Sequence, residues 1–173
     1  AFEPSREAQS DRSLEELLGE LCGEKLYTAE NKFAALSSRD ELVFAHGALK
    51  ALAADLMKIA NDIGWLASGP RLGIGEIFIP ENEPGSSIMP GKVNPVIPEV
   101  VNQAAFRVIG NDVTIAMAAE GGQMELNAFE PITFYSLFQS IEILANAVDT
   151  LTENCIKGIT ANKQRCDDLM HAS

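Results

Sequence analysis

The sequence predicts an all-α protein of long antiparallel helices. Apolar residues recur at helical spacing through three long stretches, 38–68, 98–120 and 131–156. Glycine or proline closes each of them, at Gly69-Pro70, Gly121-Gly122 and Gly158. The one run that reads as extended is the short Ile77-Phe78-Ile79. At 173 residues, 46% apolar and 22% charged, the chain suffices for a single helical segment with a sizeable core.

Residues 1–12 are polar and aperiodic, and read as a frayed start. Ser13 stands in the capping-box relation to Glu16, Leu14, Leu17, Leu18 and Leu21 follow at helical spacing, and Gly23 ends this short helix. The 38–68 stretch carries Asp40 and Glu41 near its start, then Leu42, Leu49, Leu52, Leu56, Ile59, Ile63 and Leu66. At 1.5 Å per residue it makes a rod of about 45 Å, a length typical of bundles. His46 lies inside that rod with no second ligand or carboxylate at helical spacing, and reads as structural.

Between the first and second rods the chain is rich in glycine and proline. Glu76, Glu81 and Glu83 fall there; paired carboxylates can do acid and base work, but glutamates in a polar connection read first as solvated. Pro98-Glu99 opens the second rod, proline suiting a first turn and glutamate the positive end of the helix dipole. The third rod spreads Ile132, Phe134, Tyr135, Leu137, Phe138, Ile141, Ile143, Leu144, Val148 and Leu151 over most of its circumference. So short a chain has few helices to cover it, so other copies are the expected cover, the alternative being a rod central to a monomeric bundle. Residues 161–170 read as a short polar helix left hanging at the end.

A net charge of −12 argues against nucleic acid and anionic membranes as partners and leaves small molecules or proteins. Cys22, Cys155 and Cys166 are scattered and odd in number, so neither a disulfide framework nor a zinc site is expected; reduced thiols fit a cytoplasmic protein. No apolar run reaches membrane-spanning length, and no cofactor or metal is expected. The chain begins at Ala1, without a methionine, which is expected of a fragment or a processed product.

The stretch with chemistry in it is the loop 84–95, Pro-Gly-Ser-Ser-Ile-Met-Pro-Gly-Lys-Val-Asn-Pro. Its exposed N–H groups, two hydroxyls, an ammonium and an amide precede a helix N-terminus, which makes an anion site. It is not a nucleotide P-loop: five residues separate Gly85 from Gly91 where four are required, and Val93 stands where a hydroxyl should follow Lys92. A carboxylate is the better anion. Serine nucleophile chemistry lacks a Gly-x-Ser-x-Gly elbow and has only His46 and His171 as possible bases. A structural loop, with Lys92 capping a neighbouring helix, is the competing reading.

The eleven residues from Gly85 to Pro95 resemble the signature of the aspartase/fumarase superfamily, whose members cleave C–N or C–O bonds to release fumarate. The resemblance extends through Ala45–Lys50, Lys58–Asp62 and Ala67–Arg71 to about Asn162. It implies that the chain is the later part of that family's central helical domain. Lys32-Phe33, His46–Lys50, Trp65–Ser68 and Pro80–Glu83 resemble class II fumarase; Val96–Gln103, Ala118–Gln123 and Glu130-Pro131 resemble aspartate ammonia-lyase. The reading leans to the ammonia-lyase, which deaminates L-aspartate to fumarate, with fumarate/malate interconversion as the alternative and a non-catalytic helical oligomerisation module as the competitor from another class.

The resemblance also implies a mechanism. Removing a proton beside a carboxylate makes a dianionic aci-carboxylate, whose added charge needs fixed donors, each worth about 3 kcal/mol. Lys92 and Asn94 match the family's ligands to the reacting carboxylate, and Ser87 a contact to the other carboxylate. Ser86 matches the catalytic base, a role serine fills only where neighbouring donors and exclusion of water lower its pKa. Glu99 matches the acid that orients a histidine from another segment. Family sites draw on three segments from three subunits of a homotetramer, and this sequence holds only the last. The chain alone is therefore expected to be inactive, and its partners to be further copies and a small dicarboxylate: aspartate, fumarate or malate.

Overall fold

The computed structural model describes residues 13–69, 71–83, 85, 88–89 and 92–172. Residues 1–12, Pro70, Pro84, Pro90, Gly91 and both proposed serines of the loop, Ser86 and Ser87, lie outside the described residues. The chain is all-α, as its periodicity predicts. Six helices are described: α1 Leu14–Cys22, α2 Lys32–Ser37, α3 Asp40–Leu66, α4 Val96–Glu120, α5 Glu130–Asn154 and α6 Lys163–His171. None is long and apolar enough to cross a membrane.

Helix α1 has the predicted capping box: the Glu16 N–H donates to Ser13 Oγ at 3.3 Å and the Ser13 N–H to Glu16 Oε2 at 3.1 Å. Gly23 closes it at φ 71°, a left-handed conformation that favours glycine. Helix α2 was not predicted; six residues are too few to show a period, and its sign is a local cap, Asn31 Oδ1 accepting from the Ala34 N–H at 3.1 Å. Because α2 ends at Ser37 with Ser38 as its C-cap, α3 begins at Asp40, two residues later than the periodicity places it.

Helices α3, α4 and α5 run antiparallel in succession. Each buries one seam at coiled-coil spacing: Ala53, Leu56, Ala60 and Ile63 on α3, Val101, Ala105, Val108 and Ile115 on α4, Ser140, Leu144, Ala147 and Leu151 on α5. Alanine at alternate layers lets the backbones approach while Leu, Val and Ile fill the gaps. Helix α4 starts at Val96, two residues before the predicted opening at Pro98. Proline is tolerated there because the first N–H groups of a helix have no intrahelical acceptor.

Helix α5 corrects the expectation of an all-round apolar rod. Its buried face is mostly small or hydroxylated, from Thr133 and Ser136 to Ser140, whereas Phe134, Tyr135, Phe138, Ile141 and Val148 are exposed. The bulky apolar residues thus lie on the sides that this chain does not cover. Asn127, 3% exposed, joins α4 to α5: its Nδ2 donates to the carbonyls of Ala118 (2.9 Å) and Ala119 (3.3 Å), and its Oδ1 accepts from the Phe129 N–H at 2.8 Å. One side chain closes the end of α4 and starts α5.

The extended run is confirmed at Ile77–Phe78 (β1), which pairs antiparallel with Thr160–Ala161 (β2), Ile77 opposite Ala161 and Phe78 opposite Thr160. The predicted terminal helix exists as α6, but it does not hang free. Arg165 donates from Nε to the Ile74 carbonyl (3.0 Å) and from Nη2 to that of Gly73 (3.2 Å), and Asn162 Nδ2 donates to that of Gly75 (2.9 Å). Polarity marked this helix as solvated, whereas its polar groups serve the bare carbonyls of a glycine-rich segment.

Ile115 is fully buried at the α4 seam. Ile115→Ala should cost about 2–5 kcal/mol, read as a lower urea midpoint; an unchanged midpoint would show that this layer carries no packing energy.

Candidate active site

Two arrangements hold the chemically useful side chains, one at the foot of α4 and one midway along the bundle. At the foot of α4 the ends of the loop are drawn into a neck. The Gly85 N–H donates to the Lys92 carbonyl at 3.0 Å, the Lys92 N–H to that of Met89 at 3.2 Å, and Asn94 Nδ2 to that of Gly85 at 2.9 Å. A Cβ on Gly85 would stand 2.0 Å from the Lys92 carbonyl oxygen, so only glycine allows the two strands of the neck to approach this closely.

Asn94, half-buried, therefore spends an amide hydrogen inside the loop, where the resemblance implied a substrate contact. Lys92 is exposed, and its Nζ has no ion pair among the described residues. Glu99 is exposed in the first turn of α4.

A cleft of about 300 Å³ opens beside Glu99 between the last turns of α3 and the first turns of α4. Asn61, Gly64, Trp65 and Ser68 line one wall, and Pro95, Pro98, Glu99 and Asn102 the other. Asn102 Nδ2 donates across it to Asn61 Oδ1 at 2.8 Å, and the buried Asn102 Oδ1 has no partner among the described residues. Of the described residues that the sequence singled out, Glu99 lines this cleft, and Lys92 and Asn94 belong to the neck beside it. Asn61, Trp65, Ser68 and Asn102 were not singled out. Their legible signal was spacing, since 61, 65 and 68 share one helical face and 102 lies one turn beyond 99.

The second arrangement is a buried polar cluster. His46, fully enclosed, places Nδ1 at 3.0 Å from Asp112 Oδ1 and Nε2 at 2.8 Å from Ser140 Oγ, while Lys50 Nζ donates to Asp112 Oδ2 at 2.6 Å. The structural reading of His46 holds, and the carboxylate that its own helix lacks comes from α4. The connectivity is that of an Asp–His–Ser relay, yet His46 and Ser140 are both 0% exposed and no substrate reaches the hydroxyl. Burial alone would raise the Asp112 carboxyl; hydrogen bonds from Lys50 and His46, with their charges, outweigh it and hold the carboxyl below the usual range. All three cysteines are free, and burial pushes the Cys155 thiol up, away from the reactive thiolate.

A family model described as Lyase matches residues 5–110. The chain belongs to the aspartase/fumarase superfamily of lyases. Bacillus subtilis fumarate hydratase class II is 55% identical over 149 residues, covering 86% of this chain and 32% of that protein. Helicobacter pylori aspartate ammonia-lyase is 51% identical over 160 residues, covering 92% of this chain and 34% of that protein. A crystal structure described as fumarate lyase:delta crystallin from Brucella melitensis superposes with a TM-score of 0.82 at 50% identity, over 87% of this chain and 33% of that one. The chain thus spans about a third of the length of the curated relatives it matches.

Asp112 carries a pH prediction. Its folded-state pKa lies below the ordinary 3.8, so its ionised form stabilises the fold above that value, and the contribution is lost as the pH falls from there through the depressed pKa. The stability gap between the wild type and Asp112→Asn should be full at neutral pH and close below about pH 4, as read by urea unfolding at a series of pH values; a gap that persists in acid would exclude this origin.

Proposed function

We propose that the chain supplies one part of a fumarate hydratase class II active site, which adds water to fumarate and removes it from malate through an aci-carboxylate. The observation that carries this reading is the 55% identity to the B. subtilis fumarate hydratase, together with a complete Gly85–Pro95 signature. It revises the lean toward the ammonia-lyase. In this reading Ser86 is the base, Lys92 and Asn94 meet the charge that develops on the reacting carboxylate, Ser87 holds the other carboxylate, and Glu99 orients a histidine supplied from outside this segment. The neck supports it physically, because it holds the backbone of Lys92 at the loop's base while leaving the ammonium exposed. The later part of the central helical domain is the place the chain takes in such an enzyme.

One observation favours deamination of aspartate instead: Val96–Gln103, directly after the loop, resembles the ammonia-lyase branch, and the H. pylori ammonia-lyase is 51% identical. Replacing the matched third of each relative with this chain separates the two. The hydratase host should form fumarate from malate, and the ammonia-lyase host should form none from aspartate; activity in the second host alone would establish the deaminase. In whichever chimera is active, Lys92→Ala should lower turnover at least about 100-fold with helical content unchanged.

Further copies of the chain are the proposed cover for the exposed side of α5. Phe138→Glu together with Ile141→Glu should lower the mass of the chain seen by light scattering; a wild-type monomer would remove the proposal.

A further inference from the structure

The lyase chemistry leaves the His46 cluster unused, and its hydrogen bonds carry an inference of their own. An ionised carboxylate only accepts, so the Asp112 contact requires a hydrogen on His46 Nδ1. The other nitrogen faces Ser140 Oγ at 2.8 Å, and that hydroxyl has one hydrogen but two acceptors in reach, His46 Nε2 and the Ser136 carbonyl, also at 2.8 Å. The Ser136 carbonyl does not depend on it, because Asn111 Nδ2 donates there at 3.2 Å and the helical N–H of residue 140 is also available. Ser140 Oγ in turn accepts from Asn111 Nδ2 at 3.0 Å.

We propose that His46 and Ser140 form a proton latch within the three-helix seam. With the ring neutral, the Ser140 hydroxyl donates to Nε2. When the ring takes one proton from solvent at Nε2, the hydroxyl turns to donate to the Ser136 carbonyl, and Oγ accepts from the new N–H. No covalent bond changes beyond that protonation, and neither state strands a buried donor or acceptor. The charged groups around the ring support the second state unevenly: α4 supplies Asp112, α3 supplies Lys50 bound to that same carboxylate, and α5 offers the ring only the neutral Ser140. Arg107, the next charge on α4, is turned to Gln139. The consequence is a bundle that keeps its register while its buried histidine changes charge, where a ring without a rotatable partner would leave a donor unpaired in acid.

The test uses the 173-residue chain with ¹⁵N-labelled histidine. It contains two histidines, so His171→Asn leaves a single ring signal. As the pH is lowered across the interval in which the backbone spectrum stays folded, the ring should pass from the Nδ1–H tautomer to the doubly protonated form. A ring fixed in one state, or a bundle that unfolds as the ring protonates, overturns the latch, and this measurement needs no change at position 140. For Ser140→Ala, the deficit in thermal midpoint relative to wild type should grow as the pH falls, and His46→Gln should make that deficit independent of pH. A Ser140→Ala deficit equal at both ends of the interval would assign the hydroxyl to packing alone.

Discussion

Helix α4 sits between α3 and α5, and the closeness of that packing is what the remaining features require. Ala53 and Ala60 of α3 face Val101, Ala105 and Val108 of α4, so the backbones approach where larger side chains would hold them apart. Near packing on one side brings Asn61 within reach of Asn102, and further along it brings His46 and Lys50 to Asp112. On the other side it lets Asn111 reach the backbone of α5. Spreading the helices would break all of these bonds together, whereas a local change in one of them leaves the apolar layers in place.

The same packing explains why chemistry gathers at one end. Where α3 stops and α4 starts a cleft opens between them, and the loop enters at that point with its ends tied by backbone hydrogen bonds. In the first turn of α4 the Val96 N–H donates to the Asn94 carbonyl at 2.9 Å and the Glu99 N–H to that of Pro95 at 3.0 Å, so the turn is tied to the end of the loop. Midway along the bundle the helices are in full contact, and the polar groups found there are enclosed and mutually satisfied. Exposure separates the two clusters: Glu99 is accessible, while Ser140 and His46 are sealed.

Sequence reasoning recovered the elements whose cause is local or periodic. The capping box at Ser13, the glycine stop at Gly23 and the three long rods all follow from residues a few positions apart. It failed where a partner lies far along the chain. Asp112 is 66 residues from His46 and Ser140 is 94 away, so no window around His46 could show its carboxylate. The strand partner of Ile77 lies beyond two helices, at Ala161. The hydroxylated inner face of α5 was not legible for a related reason: hydropathy ranks Phe138 above Ser140, but close packing against α4 selects the small side chain there, and the aromatic lies on the side expected to need cover from further copies.

The segment leading into the loop bears on how this chain is made. Its carbonyls at Gly73, Ile74 and Gly75 are satisfied by Asn162 and Arg165, and its Pro80 packs where Gly158 leaves no side chain, a Cβ there standing 2.3 Å from the proline ring. On a ribosome, residues 73–80 emerge long before the groups that hold them. The three rods can pair as they appear, whereas the segment before the loop has at first only its local bonds to the end of α3, from the Glu76 N–H to the Leu66 carbonyl and from the Ile74 N–H to Ser68 Oγ, and gains the remainder once α6 has been synthesised.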